Sequence, residues 1–280
     1  MVEAKSIRIT LCFAALAILV CVPGCPARSP APGSVETVLL PGNVPLDMVW
    51  IPAGTFMMGA QPDESDARPD EWPRHEVTLS HGFWLAKYEL TKAQWTAVTG
   101  EEVPWLGGAC VLDHPDSPAV YVRWTDAVAY IAELNTVTGK TFRLPTEAEW
   151  EYACRAGTTT RFYWGHDAEF ATIDDYAWWS DNTLYIGQDY AHVVGQKLPN
   201  PLGLYDMAGN VAEWCADWHG GYPSAPVTDP AGPGSGTGRV YRGGGYSHLG
   251  RWCSPHRSSA RNADDPWCIS SEALGFRLAM

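Results

Sequence analysis

Residues 143–157 read RLPTEAEWEYACRAG, and they set the reading of the chain around them. Pro145 forces its predecessor into an extended conformation and closes whatever strand precedes it. Thr146 and Glu149 form a capping box, each satisfying an exposed amide of the first helical turn. Trp150 and Ala153 give the helix an apolar stripe, and Gly157 supplies the stop. An extended segment therefore runs straight into a short amphipathic helix. Working outward, Thr91 caps a second helix, Lys92 to Thr99, which Gly100 ends. A third starts at Trp124-Thr125-Asp126, with Ala127, Val128, Ile131, Leu134 and Asn135 on helical spacing and Gly139 at its end. Short strands are expected on both sides of a turn at Ala53-Gly54, at His75–Leu79, at Phe83–Leu90, at Val240–Arg242 and at Gly275–Ala279. Between them lie an acidic loop from Asp63 to Glu71, read as solvated or ion-binding, and a Pro/Gly loop over 101–117 that carries Cys110. A Trp/Asp-rich stretch over 174–182, the segment 200–218 and a Gly/Pro/Ser linker over 231–238 complete the loops. There is no internal repeat. The pattern is α+β: a single loop-rich domain over 41–280 with little regular secondary structure.

Composition agrees. The 280 residues include 27 Gly, 22 Pro and 14 Trp against only 7 Phe, so aromatics pack loops onto a modest frame. Hydrophobic residues make up 46% of the chain, enough for a substantial core. A net charge of -13 excludes a nucleic-acid partner, which needs a basic footprint.

The N-terminus reads as a leader. Lys5 and Arg8 precede an apolar run, Ile9 to Val22, too short to span a bilayer and placed as a signal-peptide core. Residues 1–25 are expected to be a signal peptide whose Val22-Pro23-Gly24-Cys25 end resembles a bacterial lipobox, with Pro23 off pattern. Cys25 is then the lipidation site and the membrane anchor, and residues 26–40 are a flexible tether. Plain secretion and an uncleaved anchor are the alternatives. Five cysteines remain beyond the leader: Cys110, Cys154, Cys215, Cys253 and Cys268. They contain no C-x-x-C, which argues against a zinc ribbon, and their odd number leaves one thiol free or bound in an oxidising compartment.

Four segments together carry a resemblance: MVWIPAGTFMMG (48–59), RLPTEAEWEYACRAG (143–157), NPLGLYDMAGNVAEW (200–214) and RGGGY…GFRLA (242–279). In order and spacing they resemble the formylglycine-generating enzyme, or sulfatase-modifying factor, family, which also includes ergothioneine synthase and pyoverdine tailoring domains. The resemblance implies a C-type-lectin-like domain. It leaves function open, because the family holds oxidases, iron enzymes and members with no known chemistry. The iron-enzyme reading is set aside, since its three-histidine set comes from a helical domain not found in these residues.

In the oxidases, two late cysteines in a Cys-x4-Cys arrangement hold Cu(I), for which paired thiolates are the natural soft ligands, and a client cysteine in a Cys-x-Pro-x-Arg context becomes formylglycine. Aligned on RGG, the second of these cysteines matches Cys253 and the first matches His248. A mixed imidazole–thiolate copper site is chemically sound. Otherwise Cys253 is structural, as a buried thiol or paired with Cys268, or the pair does other chemistry. Further departures follow the same direction. The resemblance puts a Trp of the oxidases at Ala212, their serine after RGG at Gly245, the residue after their first cysteine at Leu249, and a partner of Cys154 at Leu278.

The resemblance also implies structural calcium at GLYDMAGNVAEW, through the Asp206 carboxylate, the Gly209 and Val211 carbonyls and the Glu213 carboxylate. Alternatively Asp206 caps the turn and Glu213 pairs with an arginine. A second family calcium site falls on Trp178 to His192, with Asp181 and Asn182 as candidates. Arg242, Arg257, Arg261 and Arg277 either face an anionic client or pair with buried carboxylates and carbonyls, with Glu147, Glu149 and Glu151 as partners. His75 and His81 read as structural. Two functions are carried forward: an exported, lipid-anchored, non-oxidase scaffold that binds an exported protein or glycan, and a copper-dependent oxidase acting through Cys253 and His248.

Overall fold

Among the described residues, three small sheets carry the α+β pattern. The computed structural model describes residues 29–103, 112–167, 169–247, 256–267 and 271–280. The leader expected over 1–25 with Cys25, and the positions His248, Leu249, Cys253, Cys110 and Cys268, lie outside the described residues. In chain order the elements are β1 (Val35–Leu40), β2 (Val44–Ile51), β3 (Gly54–Met58), β4 (His75–Leu79), β5 (Phe83–Ala86), α1 (Lys92–Thr99), α2 (Trp124–Thr138), α3 (Glu147–Arg155) and α4 (Ile173–Tyr176). Then come β6 (Ala212–Trp218), β7 (Val227–Thr228), β8 (Arg239–Arg242), β9 (Arg261–Asp264) and β10 (Leu274–Gly275).

The sheets run β1-β2-β5, β3-β4-β7 and β10-β6-β8-β9. The expected strands on both sides of Ala53-Gly54 are present, but they do not form a hairpin. Both edges of β2 are already taken, by β1 and β5, so the turn hands the chain to the second sheet, where β3 pairs with β4. The tether expected over 26–40 loses its last six residues to β1, because Val38 and Leu40 alternate inward and are buried. The strand expected over 83–90 stops at Ala86.

The GFRLA strand is corrected more fully. Only Leu274–Gly275 pairs as β10, parallel to β6. Residues 276–280 then cross between elements. Leu90 donates to the Phe276 carbonyl (2.9 Å), Ala86 to Leu278 (2.7 Å), and Arg143 and Ala279 exchange backbone bonds (2.8 Å each).

The helix readings hold to the residue at their starts. The hydroxyls of Thr91 and Thr146 accept from the amides of Gln94 and Glu149. α3 differs at its end: Ala156, not a glycine, takes the left-handed cap conformation at φ 48°. One buried cluster gathers Trp95, Tyr130, Ile131 and Leu134 of α1 and α2 with Trp214 and Phe276. A second surrounds Trp150 and Ala153 of α3 with Val49, Val77, Met207 and Cys215.

Candidate functional site

The four late arginines are all buried and all paired. Arg261 donates to both carboxylate oxygens of Glu147 (2.7 and 2.6 Å) and to the Asp70 and Gly220 carbonyls. Arg242 bridges Glu147 and Glu151, and Arg155 also donates to Glu151 (2.9 Å). Arg257 donates to Glu64 (2.8 Å) and to both oxygens of Glu71. The acidic loop is therefore not simply solvated, since Glu64 and Glu71 fold inward onto that guanidinium. Glu149 pairs with the half-exposed Arg143 instead. These arginines build the scaffold: each supplies a fork that a carboxylate or loop carbonyl fills.

The loop 206–213 is arranged differently. Asp206 and Asn210 sit at positive φ (57° and 62°), which lets the chain fold tightly on itself. Gly209, at φ 115°, packs so closely that a Cβ would run into the Trp178 carbonyl oxygen. The loop anchors the RGGGY segment from below: Gly209 donates to the Gly243 carbonyl and Tyr246 donates to the Asn210 carbonyl, both at 2.8 Å. It therefore fixes the strand end from which the chain runs on toward His248 and Cys253.

Three carboxylates meet here. Glu213 is gripped by Arg277 (Nη2 to Oε1 and Nε to Oε2, both 2.6 Å), and its Oε2 also accepts from the Trp150 indole (2.6 Å). Asp206 accepts from the Gly195 amide through Oδ2 (2.7 Å), while its Oδ1 is buried with no hydrogen-bond partner. Glu89 accepts from the Val211 amide (3.0 Å) and the Asn210 side chain (2.9 Å), with no ion pair to a cation among the described residues. Burial pushes the Asp206 carboxyl up to about 6. Burial, then the charges of Asp206 and Glu213, push Glu89 well above the ordinary carboxylate range.

Of the sequence-predicted calcium ligands, Asp206, Gly209, Val211 and Glu213 thus lie in one tight buried loop, and Glu213 also makes the arginine pair considered as the alternative. The loop fits a hard cation. One carboxylate oxygen is orphaned, three carboxylates share one guanidinium, and no described backbone N–H donates to the Gly209 or Val211 carbonyl. Among the described residues no three His, Cys, Asp or Glu side chains converge to hold a metal by themselves. A cation in this loop would take carbonyl oxygens for part of its shell.

Sequence reasoning missed Glu89. Its signal was a lone acid at the end of the apolar run FWLAKYEL, where an unpaired carboxylate is out of place. The Asn182 side chain accepts from Trp179 and donates to Asp174 and Ala177, while Asp181 is exposed. In the segment 178–192, Trp178 stacks on His192 (3.7 Å between centroids), and Lys197 Nζ lies 3.8 Å from the Trp178 ring centre. Burial, aided by Lys197, lowers His192 to about 4, so its ring is neutral at ordinary pH.

The two described cysteines are poor nucleophiles. Cys154 and Cys215 are free and fully buried, and burial pushes the Cys154 thiol up to about 12 and Cys215 well above its ordinary value. His75 and His81 hydrogen-bond locally, to Pro73 and Ser80, and His75 also packs on the Tyr222 ring.

Residues 40–280 match the family described as "Sulfatase-modifying factor enzyme 1-like domain", and the chain belongs to that family. It is 32% identical over 295 aligned positions to the formylglycine-generating enzyme of Thermomonospora curvata, covering 85% of this chain and 95% of that one. Among solved structures it is similar to PvdO from Pseudomonas aeruginosa, with a TM-score of 0.75 and 32% identity over 90% of this chain and 99% of that one. It is also similar to Treponema denticola variable protein 1, with a TM-score of 0.74 and 30% identity over 88% and 98% of the two chains.

Proposed function

We propose that this protein is an exported, lipid-anchored, calcium-stabilised binding module that uses the formylglycine-generating enzyme scaffold to hold an exported protein or glycan. The observation that carries the reading is His248 at the position where the oxidases, by resemblance, have their first copper cysteine. Ala212 supports it: where the resemblance puts an active-site Trp, the side chain is a fully buried methyl on β6. The C-type-lectin-like likeness belongs to the same reading, since that architecture displays binding loops on a small frame. Lipidation at Cys25 supplies the anchor, and calcium held by Asp206, Glu213, the Gly209 and Val211 carbonyls and Glu89 stiffens the base of the RGGGY segment.

The second reading, a copper-dependent oxidase, is favoured by the 32% identity to the Thermomonospora enzyme across nearly its whole length. By the resemblance, Cys253 and His248 are the residues that would hold copper there; Cys154 and Cys215 are fully buried. The deciding experiment is an anaerobic Cu(I) titration of the protein beside Cys253→Ala and His248→Ala, with free thiols counted in each sample. No specific binding, and no aldehyde formed on a Cys-x-Pro-x-Arg peptide, is the expected result. Tight one-to-one binding lost in both variants overturns it in favour of the oxidase.

A further inference from the structure

Beyond the loop 206–213, the α3 network borders a cavity of about 390 Å³ whose walls include Asp217, His75, Trp218, Tyr222, Pro223 and Pro233. Its volume is in the range of small-ligand sites, and its rings make it largely apolar. Two polar atoms are available to a guest. Asp217 is only 4% exposed, and its Oδ2 accepts from the Glu147 amide (2.8 Å), while Oδ1 has no described donor. His75 is 3% exposed, and its Nδ1 bonds the Pro73 carbonyl (3.1 Å). A carbonyl only accepts, so Nδ1 carries a proton, and in the neutral ring Nε2 is then the acceptor.

The cation already in the wall is not free for Asp217. Arg261 gives four of its five N–H donors to Glu147 and to the Asp70 and Gly220 carbonyls and has no bond to Asp217. The Tyr222 hydroxyl donates to Glu147 (3.2 Å) and is likewise committed. Among the described residues the cavity therefore offers acceptors with no donor bonded to Asp217 Oδ1, inside walls of proline and aromatic rings. A guest that brings a positive donor on an aliphatic stem satisfies both. Asp217 has only one oxygen to give, because the helix amide holds the other. That disfavours a guanidinium, which takes carboxylates with two parallel bonds, and favours the point charge of an ammonium. Burial and the neighbouring Glu147 charge push the Asp217 carboxyl up to about 7, outweighing the Glu147 amide and the nearby Arg261 charge, which act to lower it; no described arginine bonds it directly.

We propose that this cavity binds an alkylammonium group, with Asp217 as its counter-ion and the Pro223 and Pro233 rings against its stem. The test is a titration of the 15N-labelled full chain with n-butylammonium, following the Trp218 indole N–H, with the exposed Trp267 indole as control. n-Butanol is the neutral comparator and n-butylguanidinium the forked one. Lysine blocked at both backbone ends distinguishes a protein side chain from a free amine. The expected result is a saturable shift at Trp218 alone, at least tenfold weaker for butanol and for Asp217→Asn, and weaker for butylguanidinium. Binding of the blocked lysine as tight as that of butylammonium makes the source a protein; binding of butylammonium alone makes it a free amine. Equal responses to butanol and butylammonium overturn the proposal whether or not the variant folds. So does an unchanged affinity in folded Asp217→Asn, or a shift at Trp267 matching that at Trp218.

Discussion

The chain buries charge in two places and treats it in opposite ways. Around α3, Glu147 and Glu151 meet three guanidiniums, those of Arg155, Arg242 and Arg261, and every contact is short. Around the loop 206–213, Glu213 is bonded to Arg277, whose charge also acts on Glu89 and Asp206, and Lys197 acts on Asp206 from farther off. The first network closes its own charge and holds helix to sheet. The second holds more carboxylates than bonded cations, and burial with mutual repulsion raises Glu89 and Asp206 in response.

The sharpest way to break the contrast is Arg242→Met. It leaves Glu147 and Glu151 buried with fewer partners, and the expected loss is roughly 3–5 kcal/mol, read as a lower urea midpoint that does not depend on calcium. The second network should behave in the reverse manner. Removing calcium with a chelator should lower the wild-type midpoint by about 3 kcal/mol relative to calcium at a hundred times its dissociation constant, and Asp206→Asn should abolish most of that response. A chelator-insensitive wild type would remove calcium from the account.

Asp217 tests the edge of the balanced network. Its carboxyl is raised to about 7 in the fold, chiefly by burial, so ionisation favours the unfolded chain. That penalty is absent below pH 4, grows as pH rises and levels off above pH 7. Asp217→Asn should therefore gain on the wild type by about 2 kcal/mol between pH 5 and pH 7.5, measured as the difference in midpoint. A constant difference across that range would contradict the raised carboxyl. The smallest expected effect is at the surface. The exposed Arg123–Asp126 pair should contribute under about 1 kcal/mol, and Arg123→Ala should change the midpoint accordingly little.

How much of this could be read from the residues differs by kind of signal. Helix starts were legible because a capping residue and its partner three positions on are local: Thr91 with Gln94, and Thr146 with Glu149. Strand pairing was not. Nothing near Ala53-Gly54 says that β2 is already flanked on both sides, and nothing in GFRLA says that its residues divide among β6, β5 and Arg143. The partners of the arginines were partly legible, since Glu147 and Glu151 lie in the motif that opened the reading. Glu64 and Glu71 were not, because a cluster of acids on a loop looks solvated until a distant Arg257 is brought to it. The loop 206–213 could be placed by resemblance. Glu89, more than a hundred positions earlier, could be found only through the fold.

The path of residues 276–280 has a consequence for the order in which a ribosome delivers the chain. Trp84, Ala86 and Leu90 wait for backbone partners synthesised nearly two hundred residues later, and Glu213 waits for Arg277. The first sheet therefore emerges with an open edge, and nascent intermediates must survive with it unpaired until the last stitches arrive.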